Sequence, residues 1–288
     1  MDLSIIIPSF NTRELLDRCL ASIQTNLEHA SISYEIIVVD NASTDGTQNF
    51  LSKKYARVIK ILNKKNLGYG SANNMGIQQS HGTYILLLNS DIDVQNNAIE
   101  SLYRFGLHHQ RAFIGAKLFN EDHSPQPSCG PMYTLPVVFV MLFLKGDELG
   151  MSRYSPNEPS SVDWVSGACL FGKKSSFEDA GLFDEEIFMY MEEIEFLYRA
   201  KKKGYDVLFY PGAAFVHVGA ASSSSRKTPV ANIYEGLLYF YSKHRSIMEQ
   251  TVLRFFLRVK SRVAQQVGAI IGNNVLVQTY EHAEALIA

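Results

Sequence analysis

The first half of the chain alternates short, continuously apolar runs with segments in which apolar residues recur every three or four positions. The continuous runs predict strands at residues 3–7, 35–39, 58–62 and 84–88. The spaced patterns predict helices at residues 12–26, from 43 onward and at 69–79. Strands that are apolar on both faces and alternate with helices are typical of parallel sheets. We therefore expect an α/β fold with helices on both faces of a mostly parallel central sheet.

The alternation ends near residue 120, where closely spaced prolines and then a Ser-, Pro- and Asn-rich stretch interrupt the pattern. A later ordered part predicts strands at residues 162–171, 206–210 and 214–217, and helices near 175 and at 192–203. Residues 230–263 again show helical spacing. A run of serines at 222–225 precedes this segment. We expect a main domain at residues 1–225 and a C-terminal helical extension at residues 226–288.

The composition fits one sizeable core. A chain of 288 residues with 46% hydrophobic positions and a net charge of -2 is neither disordered nor a disulfide scaffold. The longest apolar run, residues 137–144, is far shorter than the roughly 20 residues of a membrane-spanning helix. The three cysteines form no C-x-x-C pair, which excludes a zinc knuckle and a redox motif. No signal-peptide pattern opens the sequence, so a cytoplasmic location is expected.

Charge is unevenly distributed along the chain. Residues 226–262 contain eight Lys or Arg and only two acidic residues, Glu235 and Glu249. This excess favours an anionic partner near the C-terminal extension, either a membrane surface or phosphate groups. No nucleic acid partner is expected. The alternative is that this helical segment packs on the main domain or on the second copy of a homodimer.

The residues that follow the predicted strands are candidates for ligand binding, because ligands of parallel sheets bind at the carboxyl ends of the strands. Asp40 ends the second strand, where its carboxylate could bind a base or ribose or serve the structure alone. Asn89, Ser90 and Asp91 follow the fourth strand. Carboxylates together with diphosphate oxygens are typical ligands of Mg²⁺ or Mn²⁺, whereas the structural alternative for Asp91 is a simple turn.

Two further segments carry titratable groups. Glu192, Glu193 and Glu195 lie among large apolar residues, where desolvation raises the pKa of a carboxyl group toward that of a general base. The structural alternatives are favourable placement at a helix start for the first two and an ion pair with Arg199 for Glu195. His217 closes a predicted strand and could bind metal or phosphate, or be a core histidine.

One pattern excludes a function. Gly68 and Gly70 form a G-x-G, but the third glycine of the dinucleotide-binding fingerprint is absent. The pattern also follows the third strand rather than the first. A nicotinamide-dependent dehydrogenase is therefore not expected.

Several segments, in this order, carry a resemblance to a known family. They are IIIPSFN (5–11), VVDNASTDGT (38–47), NLGYGSANNMGI (66–77), LLNSD (87–91), WVSGAC (164–169), GLFDEEIFMYMEE (181–193) and VHVG (216–219). With them, residues 3 to about 225 resemble a family 2 glycosyltransferase of the GT-A fold, in particular the bacterial rhamnosyltransferase-like branch that builds surface polysaccharides. The resemblance implies an inverting, metal-dependent transfer of a sugar from a nucleotide-diphosphate donor to a saccharide or polyprenyl-diphosphate-linked acceptor.

The resemblance also implies roles for individual residues. The nucleotide would lie against Pro8, Ser9, Asn11, Asp40, Asn66, Gly68, Asn73, Asn89 and Ser90. Asp91 and His217 would bind Mg²⁺ or Mn²⁺. Trp164, whose ring could stack on a sugar, would line the acceptor site with Gly167 and Ala168. The family's acid pair aligns with Glu192 and Glu193, of which Glu193 is the expected catalytic base.

Two departures from the family pattern keep an alternative open. Asn89 stands at the first position of the family's D-x-D motif, and Glu193 stands where the usual base is an aspartate. The alternative is a catalytically weak sugar-nucleotide-binding or assembly subunit with the same fold. For an active enzyme, the basic C-terminal helices would dock peripherally on the inner membrane face.

Overall fold

Helices pack on both faces of a central β-sheet in the computed structural model, which describes residues 1–219 and 227–287. The strands are β1 (Leu3–Ser9), β2 (Tyr34–Asp40), β3 (Ile59–Leu62), β4 (Tyr84–Leu88), β5 (Ile92–Val94), β6 (Ala112–Phe119), β7 (Pro125–Gln126), β8 (Cys129–Gly130), β9 (Ser160–Ser161), β10 (Trp164–Val165), β11 (Cys169–Lys173) and β12 (Asp206–His217). The helices are α1 (Arg13–Leu27), α2 (Thr47–Lys54), α3 (Tyr69–Gln79), α4 (Ala98–Leu107), α5 (Leu135–Phe143), α6 (Lys174–Ala180), α7 (Glu192–Lys202), α8 (Lys227–His244), α9 (Ile247–Ile270) and α10 (Asn274–Ala285).

The main sheet has the strand order β3-β2-β1-β4-β11-β6-β12-β5. β1 pairs in parallel with β2 and β4, so that Ser9 and Asp40 are direct neighbours at one edge. β11 runs antiparallel between β4 and β6, which places Cys169 beside Leu88. The turn before β11 therefore lies beside the residues that follow β4. Both lie at the same end of the sheet as Asp40, the last residue of β2.

Alternate residues of the central strands enter two separate apolar clusters. Ile5 and Ile7 of β1 pack in one cluster, while Ile6 packs in the other. Each of these side chains is fully buried, which contributes about 1.5–3 kcal/mol per side chain. The expectation of a central sheet covered on both faces is confirmed.

The C-terminal helices share a core with the rest of the protein. Leu237, Phe240 and Tyr241 of α8 are fully buried and belong to the same cluster as Phe113 of β6. The predicted extension is thus helical, while its boundary at 225/226 and the serine run at 222–225 lie outside the described residues. In the described parts of the chain, no helix combines the length and apolarity needed to cross a bilayer.

Several predicted elements have different bounds in the structure. The second helix begins at Thr47 rather than at 43, because Gly46 has a φ of +85° and Asp45 accepts a hydrogen bond from the Thr47 backbone at 3.1 Å. The helical pattern at 230–263 spans two helices, because Ser246 forms a capping box with Glu249 and starts α9.

The predicted strand at 162–171 is in fact β10 and β11, separated by a turn in which the Cys169 N–H donates to the Ser166 carbonyl at 3.3 Å. The two predicted strands at 206–217 form the single strand β12, with a bulge between Tyr210 and Ala214. Both differences arise from pairing with distant strands rather than from local pattern.

Candidate active site

Asp40 ends β2 in a fully buried position. Its Oδ2 accepts hydrogen bonds from the Ser43 backbone at 3.2 Å and from Gln48 Nε2 at 2.9 Å. Its Oδ1 is buried and has no hydrogen-bond partner among the described residues. One oxygen therefore holds the loop after β2, and the other is left to accept a hydrogen bond from a ligand.

The loop after β1 is tied to the loop after β2. Asn11, at a φ of +54°, donates its N–H to Ser43 Oγ at 2.9 Å, and its Oδ1 accepts the Thr44 N–H at 2.8 Å. Pro8 is buried within β1 and offers no polar side chain. The structure thus places Asn11 and Asp40 side by side, while Pro8 contributes only buried packing within β1.

A chain of hydroxyl groups connects β1 to the end of β4. Ser9 Oγ lies 3.1 Å from Thr12 Oγ1, which lies 2.8 Å from Ser90 Oγ. All three side chains are buried. Ser9 and Ser90 therefore lie close together, as the resemblance implies, with Thr12 as an unpredicted link.

The loop before α3 depends on a glycine. Gly68 has a φ of +86°, and a Cβ on it would lie 2.3 Å from the Phe188 carbonyl oxygen. Asn66 Oδ1 accepts the Gly68 N–H at 3.0 Å, and the Tyr69 N–H donates to the Phe188 carbonyl at 3.1 Å. This loop is therefore pressed against the residues that precede α7, where no larger residue fits.

Asn73 on α3 is fully buried. Its amide nitrogen donates to the Tyr69 carbonyl at 3.1 Å, whereas Oδ1 is without a hydrogen-bond partner in the described part of the chain. Asn73 and Asp40 thus both hold an unsatisfied buried oxygen, which N–H or O–H donors of a ligand can satisfy.

Asp91 and His217 form the second part of the site. His217 Nε2 lies 3.3 Å from Asp91 Oδ1 and 3.1 Å from Asn89 Nδ2. His217 Nδ1 lies 2.7 Å from Gln126 Oε1, and the amide nitrogen of Gln126 donates to Asn120 Oδ1 at 2.9 Å. A neutral imidazole that donates its Nδ1 proton to Gln126 would direct its Nε2 lone pair toward Asn89 Nδ2 and Asp91 Oδ1.

These groups fit a divalent cation as part of its ligand set. A carboxylate oxygen and a neutral imidazole nitrogen are both acceptors, and a cation between them relieves their repulsion. No group of three or more His, Cys, Asp or Glu is arranged to hold a metal within residues 1–219 and 227–287. Additional ligands would therefore have to come from a diphosphate or from water.

Glu192 and Glu193 begin α7 directly after a strained turn. Tyr190 and Met191 have φ values of +67° and +75°, which non-glycine residues adopt chiefly where the surrounding structure or a function requires it. Glu192 Oε2 and Glu193 Oε2 are both buried without a partner among the residues that the structure describes.

The surroundings raise the proton affinity of both acids. Burial, and then the charge of Glu193, hold the pKa of Glu192 well above its usual range. Burial also raises the pKa of Glu193, against the opposing effects of backbone hydrogen bonds, one from Gly167, and of the Arg153 charge. Carboxyl groups of raised pKa suit general-base chemistry near neutral pH.

The turn before β11 joins the parts of the site. The Gly167 carbonyl accepts the Tyr69 hydroxyl at 2.5 Å, and the Ala168 carbonyl accepts the Asn89 N–H at 3.1 Å. Because Gly167 also contacts Glu193, this turn lies between the nucleotide-side loops and the acid pair.

The expected stacking of an acceptor sugar on Trp164 does not fit the structure. The side chain is only 1% exposed, and its Nε1 donates to the Pro131 carbonyl at 2.9 Å. Arg153 covers the ring with its guanidinium 5.3 Å from the centroid, and Tyr133 meets it edge-on at 5.8 Å. Trp164 is therefore a buried core residue rather than an exposed stacking surface.

Glu195 has a structural role, the ion pair with Arg199 that was given above as the alternative to a catalytic role. It is fully buried and lies 2.8 Å from Arg199 Nε, which confirms the predicted ion pair. Lys243 and His244 of α8 also contact it, at 3.0 and 2.9 Å. These two partners were not predicted because they lie on a helix that is distant in sequence.

Two residues near the acids and His217 were not predicted. Gln126 fixes the His217 ring, and Arg153 lies close enough to Glu193 to lower its pKa. Both fall in the irregular stretch after residue 120, where no motif or periodicity marks them.

Comparison with known proteins agrees with this geometry. Residues 4–127 match the family described as Glycosyl transferase family 2. The N-acetylglucosaminyl-diphospho-decaprenol L-rhamnosyltransferase of Mycobacterium tuberculosis (strain CDC 1551 / Oshkosh) is 27% identical over 278 residues, which cover 89% of each protein.

Two solved structures share the fold. S. aureus TarS 1-349 superposes with a TM-score of 0.55 at 16% identity, covering 100% of this chain and 90% of that one. GalNAc-T7 with UDP, GalNAc and Mn²⁺ superposes with a TM-score of 0.59 at 18% identity, covering 84% of this chain and 50% of that one. The fold is therefore the GT-A fold.

We expect Gly68→Ala to destabilise the protein by about 3 kcal/mol, because the new Cβ is strained and meets the Phe188 carbonyl. Gly46→Ala is the matched control, since Gly46 has nearly the same φ of +85° but a Cβ there would lie 3.6 Å from its nearest contact, an Arg13 nitrogen. The control should cost about 1 kcal/mol in urea unfolding. Equal losses in the two variants would show that the contact with Phe188 is unimportant.

We expect Glu192→Gln to stabilise the protein more at about pH 8 than at about pH 5. Since the folded-state pKa of Glu192 is raised, its ionisation destabilises the native state as pH rises above the unfolded pKa. The glutamine variant cannot ionise, so its gain in melting temperature over wild type should grow with pH.

Asp17→Asn is the control for this pH dependence. A hydrogen bond from Lys54 lowers the pKa of Asp17, so the stability that it contributes is present above the unfolded pKa and is lost only at more acidic pH. Its effect should be the same at about pH 5 and about pH 8. A Glu192→Gln difference that is also constant would contradict the raised pKa.

Proposed function

Because this chain carries a glycosyl transferase family 2 domain on the GT-A fold, we propose that it moves a sugar from a nucleotide-diphosphate donor to an acceptor hydroxyl with inversion at the anomeric carbon. The observation that carries the proposal is the gathering of three polar groups near the carboxyl ends of the strands, two of which hold buried oxygens without a partner among the described residues. These are the Asp40 oxygen, the Asp91–His217 pair and the acid pair Glu192–Glu193.

The donor would lie across the carboxyl ends of β1, β2 and β4. Asp40 and Asn73 offer buried oxygens to the N–H groups of the base or to ribose hydroxyls. Asp91 and His217 would hold Mg²⁺ or Mn²⁺ there, which would neutralise charge on the leaving diphosphate.

The acid pair supplies the base. Glu193 accepts the proton of the acceptor hydroxyl. The hydroxyl oxygen attacks the anomeric carbon from the face opposite the diphosphate, which leaves with the bonding electrons. Burial and the charge of Glu193 raise the pKa of Glu192 well above its usual range, so Glu192 would hold its proton while Glu193 acts as the base. The pair as a unit therefore titrates in two steps.

The identities proposed for the sugar and the acceptor rest only on the similarity to the mycobacterial rhamnosyltransferase. Its name describes rhamnose transfer onto N-acetylglucosaminyl-diphospho-decaprenol. We propose rhamnose as the donor sugar and a lipid-linked or free saccharide as the acceptor, within surface polysaccharide synthesis.

The test is a transfer assay with a panel of dTDP-, UDP- and GDP-sugars in Mg²⁺ or Mn²⁺. We expect Glu193→Gln to lower kcat by about 10²–10⁴-fold with unchanged donor binding, and Asp91→Asn to weaken metal-dependent donor binding at least about tenfold. Asp93→Asn, two residues away in β5, is the control and should change neither quantity. The anomeric configuration of the product, measured by NMR, checks inversion.

Two outcomes would contradict the proposal. If wild-type protein binds a nucleotide sugar but transfers it to no acceptor, the alternative of a binding or assembly subunit is correct. If no nucleotide sugar binds with either metal, the assignment of the nucleotide site itself is wrong.

We also propose that α9 contacts an anionic membrane surface. Its outward side exposes Met248, Phe255 and Ile270, the last 84% exposed, with Arg258 and Arg262 alongside. Apolar side chains bordered by arginines are typical of helices that lie in a membrane interface.

Co-sedimentation with vesicles tests this surface. Phe255→Ser should bind vesicles that contain phosphatidylglycerol at least about threefold less than wild type, because the variant loses one large apolar side chain that would enter the membrane interface. Leu107→Ser, which changes an exposed apolar residue at the end of α4, is the control. Equal sedimentation of all three proteins would contradict membrane contact and leave a dimer interface as the use of this face.

A further inference from the structure

Arg153 lies beside the acid pair and forms no ion pair in the described part of the chain. The residue is half-buried, and its buried Nε makes no hydrogen bond within the described residues. Its guanidinium stacks on Trp164 at 5.3 Å from the ring centroid, and its charge lowers the pKa of Glu193. A guanidinium in this position can pair its fork of N–H groups with an anion.

The position of Arg153 distinguishes it from the donor side. Its charge acts on Tyr133, Tyr190 and Glu193, which lie around the acid pair. The Asp91–His217 pair is separated from Glu193 by the turn that contains Gly167 and Ala168. An anion at Arg153 would therefore belong to the acceptor rather than to the nucleotide.

The segment that leads to Arg153 exposes apolar side chains. Leu149 and Met151 are 66% and 53% exposed, and Leu144 at the end of α5 is also exposed. The charged residues between them are occupied locally, because Lys145 pairs with Glu148 and Asp147 accepts the Ser152 hydroxyl. A guanidinium that follows exposed apolar side chains matches an amphiphile with an anionic head group.

We propose that Arg153 binds the phosphate of a lipid-linked acceptor, with the lipid passing over Leu149 and Met151 and the acceptor sugar reaching Glu193. This inference rests on the proposed function and names the acceptor class of the same site. The guanidinium fork pairs with phosphate oxygens, and the apolar side chains contact the first units of the lipid.

Equilibrium binding to the full chain tests this assignment without turnover. The probes are farnesyl diphosphate, farnesol and inorganic pyrophosphate, each with a metal chelator present. We expect Arg153→Gln to weaken farnesyl diphosphate binding at least about tenfold, and Arg153→Lys to weaken it less, because a point charge replaces the fork. Farnesol binding should change little in both variants.

Two further variants are compared with wild type, Arg111→Gln as the control for Arg153 and Met151→Ser as a test of the apolar contact. Arg111 also stacks its guanidinium on an aromatic ring, Tyr205 at 5.0 Å, but it contacts the Lys203 carbonyl, just past the end of α7, whereas the acid pair lies at the start of that helix. Arg111→Gln should bind all three probes like wild type. Met151→Ser should weaken farnesyl diphosphate binding and leave pyrophosphate binding unchanged. Circular dichroism and melting temperature verify that each variant is folded.

Three results would overturn the inference. They are absence of farnesyl diphosphate binding to wild type, equal binding to Arg153→Gln, and displacement of the probe by dTDP, UDP or GDP, which would assign Arg153 to the donor diphosphate. The proposed function is judged separately, by sugar transfer and by the effect of Glu193→Gln. Transfer with any of these three results rejects only the acceptor assignment, whereas probe binding at Arg153 without any transfer rejects only the transferase.

Discussion

The turn at residues 188–191 is the constraint on which the site depends. Its Phe188 carbonyl accepts the Tyr69 N–H at 3.1 Å and leaves no space for a side chain at residue 68. Its other end, Tyr190 and Met191, adopts positive φ values and delivers the acid pair at the start of α7. The loop before α3 and the acid pair are therefore both held by this one short segment.

The backbone strain of this turn is sustained by packing from the C-terminal helices. A Cβ at Gly236 of α8 would lie 2.7 Å from the Met191 side chain. Tyr239 donates to Asp184 at 2.8 Å, and Lys243 pairs with both Asp184 and the fully buried Glu195. Breaking a buried ion pair by removing one partner costs about 3–5 kcal/mol. The helical extension thus fixes α7 from behind, and the catalytic part cannot be treated as separable from it.

Local pattern predicted the elements whose structure is decided locally. α3 and β4 have the predicted bounds, α3 from its helical spacing and β4 from its continuous apolar run. Parallel pairing of β1 with β2 and β4 then brings Ser9, Asp40 and Asp91 to one end of the sheet. The reversed strand β11 was not foreseeable, since its partners are distant in sequence. The roles assigned to the site residues stay predictions.

The acceptor side was the least predictable part of the site. The aromatic character of Trp164 is equally compatible with a binding platform and with the core position that it occupies. Arg153 lies in an irregular segment, and only the fold brings it near Glu193. Sequence predicted which residues lie together at the strand ends, and it failed where long connections fold back over them.

The distribution of unsatisfied polar atoms supplies an independent argument for the site. Buried side-chain nitrogens and oxygens normally find a partner, and eight of them lack one within residues 1–219 and 227–287. Three belong to Ser155, Asn232 and Arg245, and the other five belong to Asp40, Asn73, Arg153, Glu192 and Glu193. Their chemistry is ordered in space, because acceptors stand alone at the nucleotide end and a cationic donor stands alone beyond the acid pair. A ligand set that donates hydrogen bonds at one end and presents an anion at the other satisfies all of them, and the reacting hydroxyl then lies between, at the carboxylates. The unfavourable free energy of leaving these groups unpaired is a property of the protein alone, so binding that pairs them gains what folding left unsatisfied.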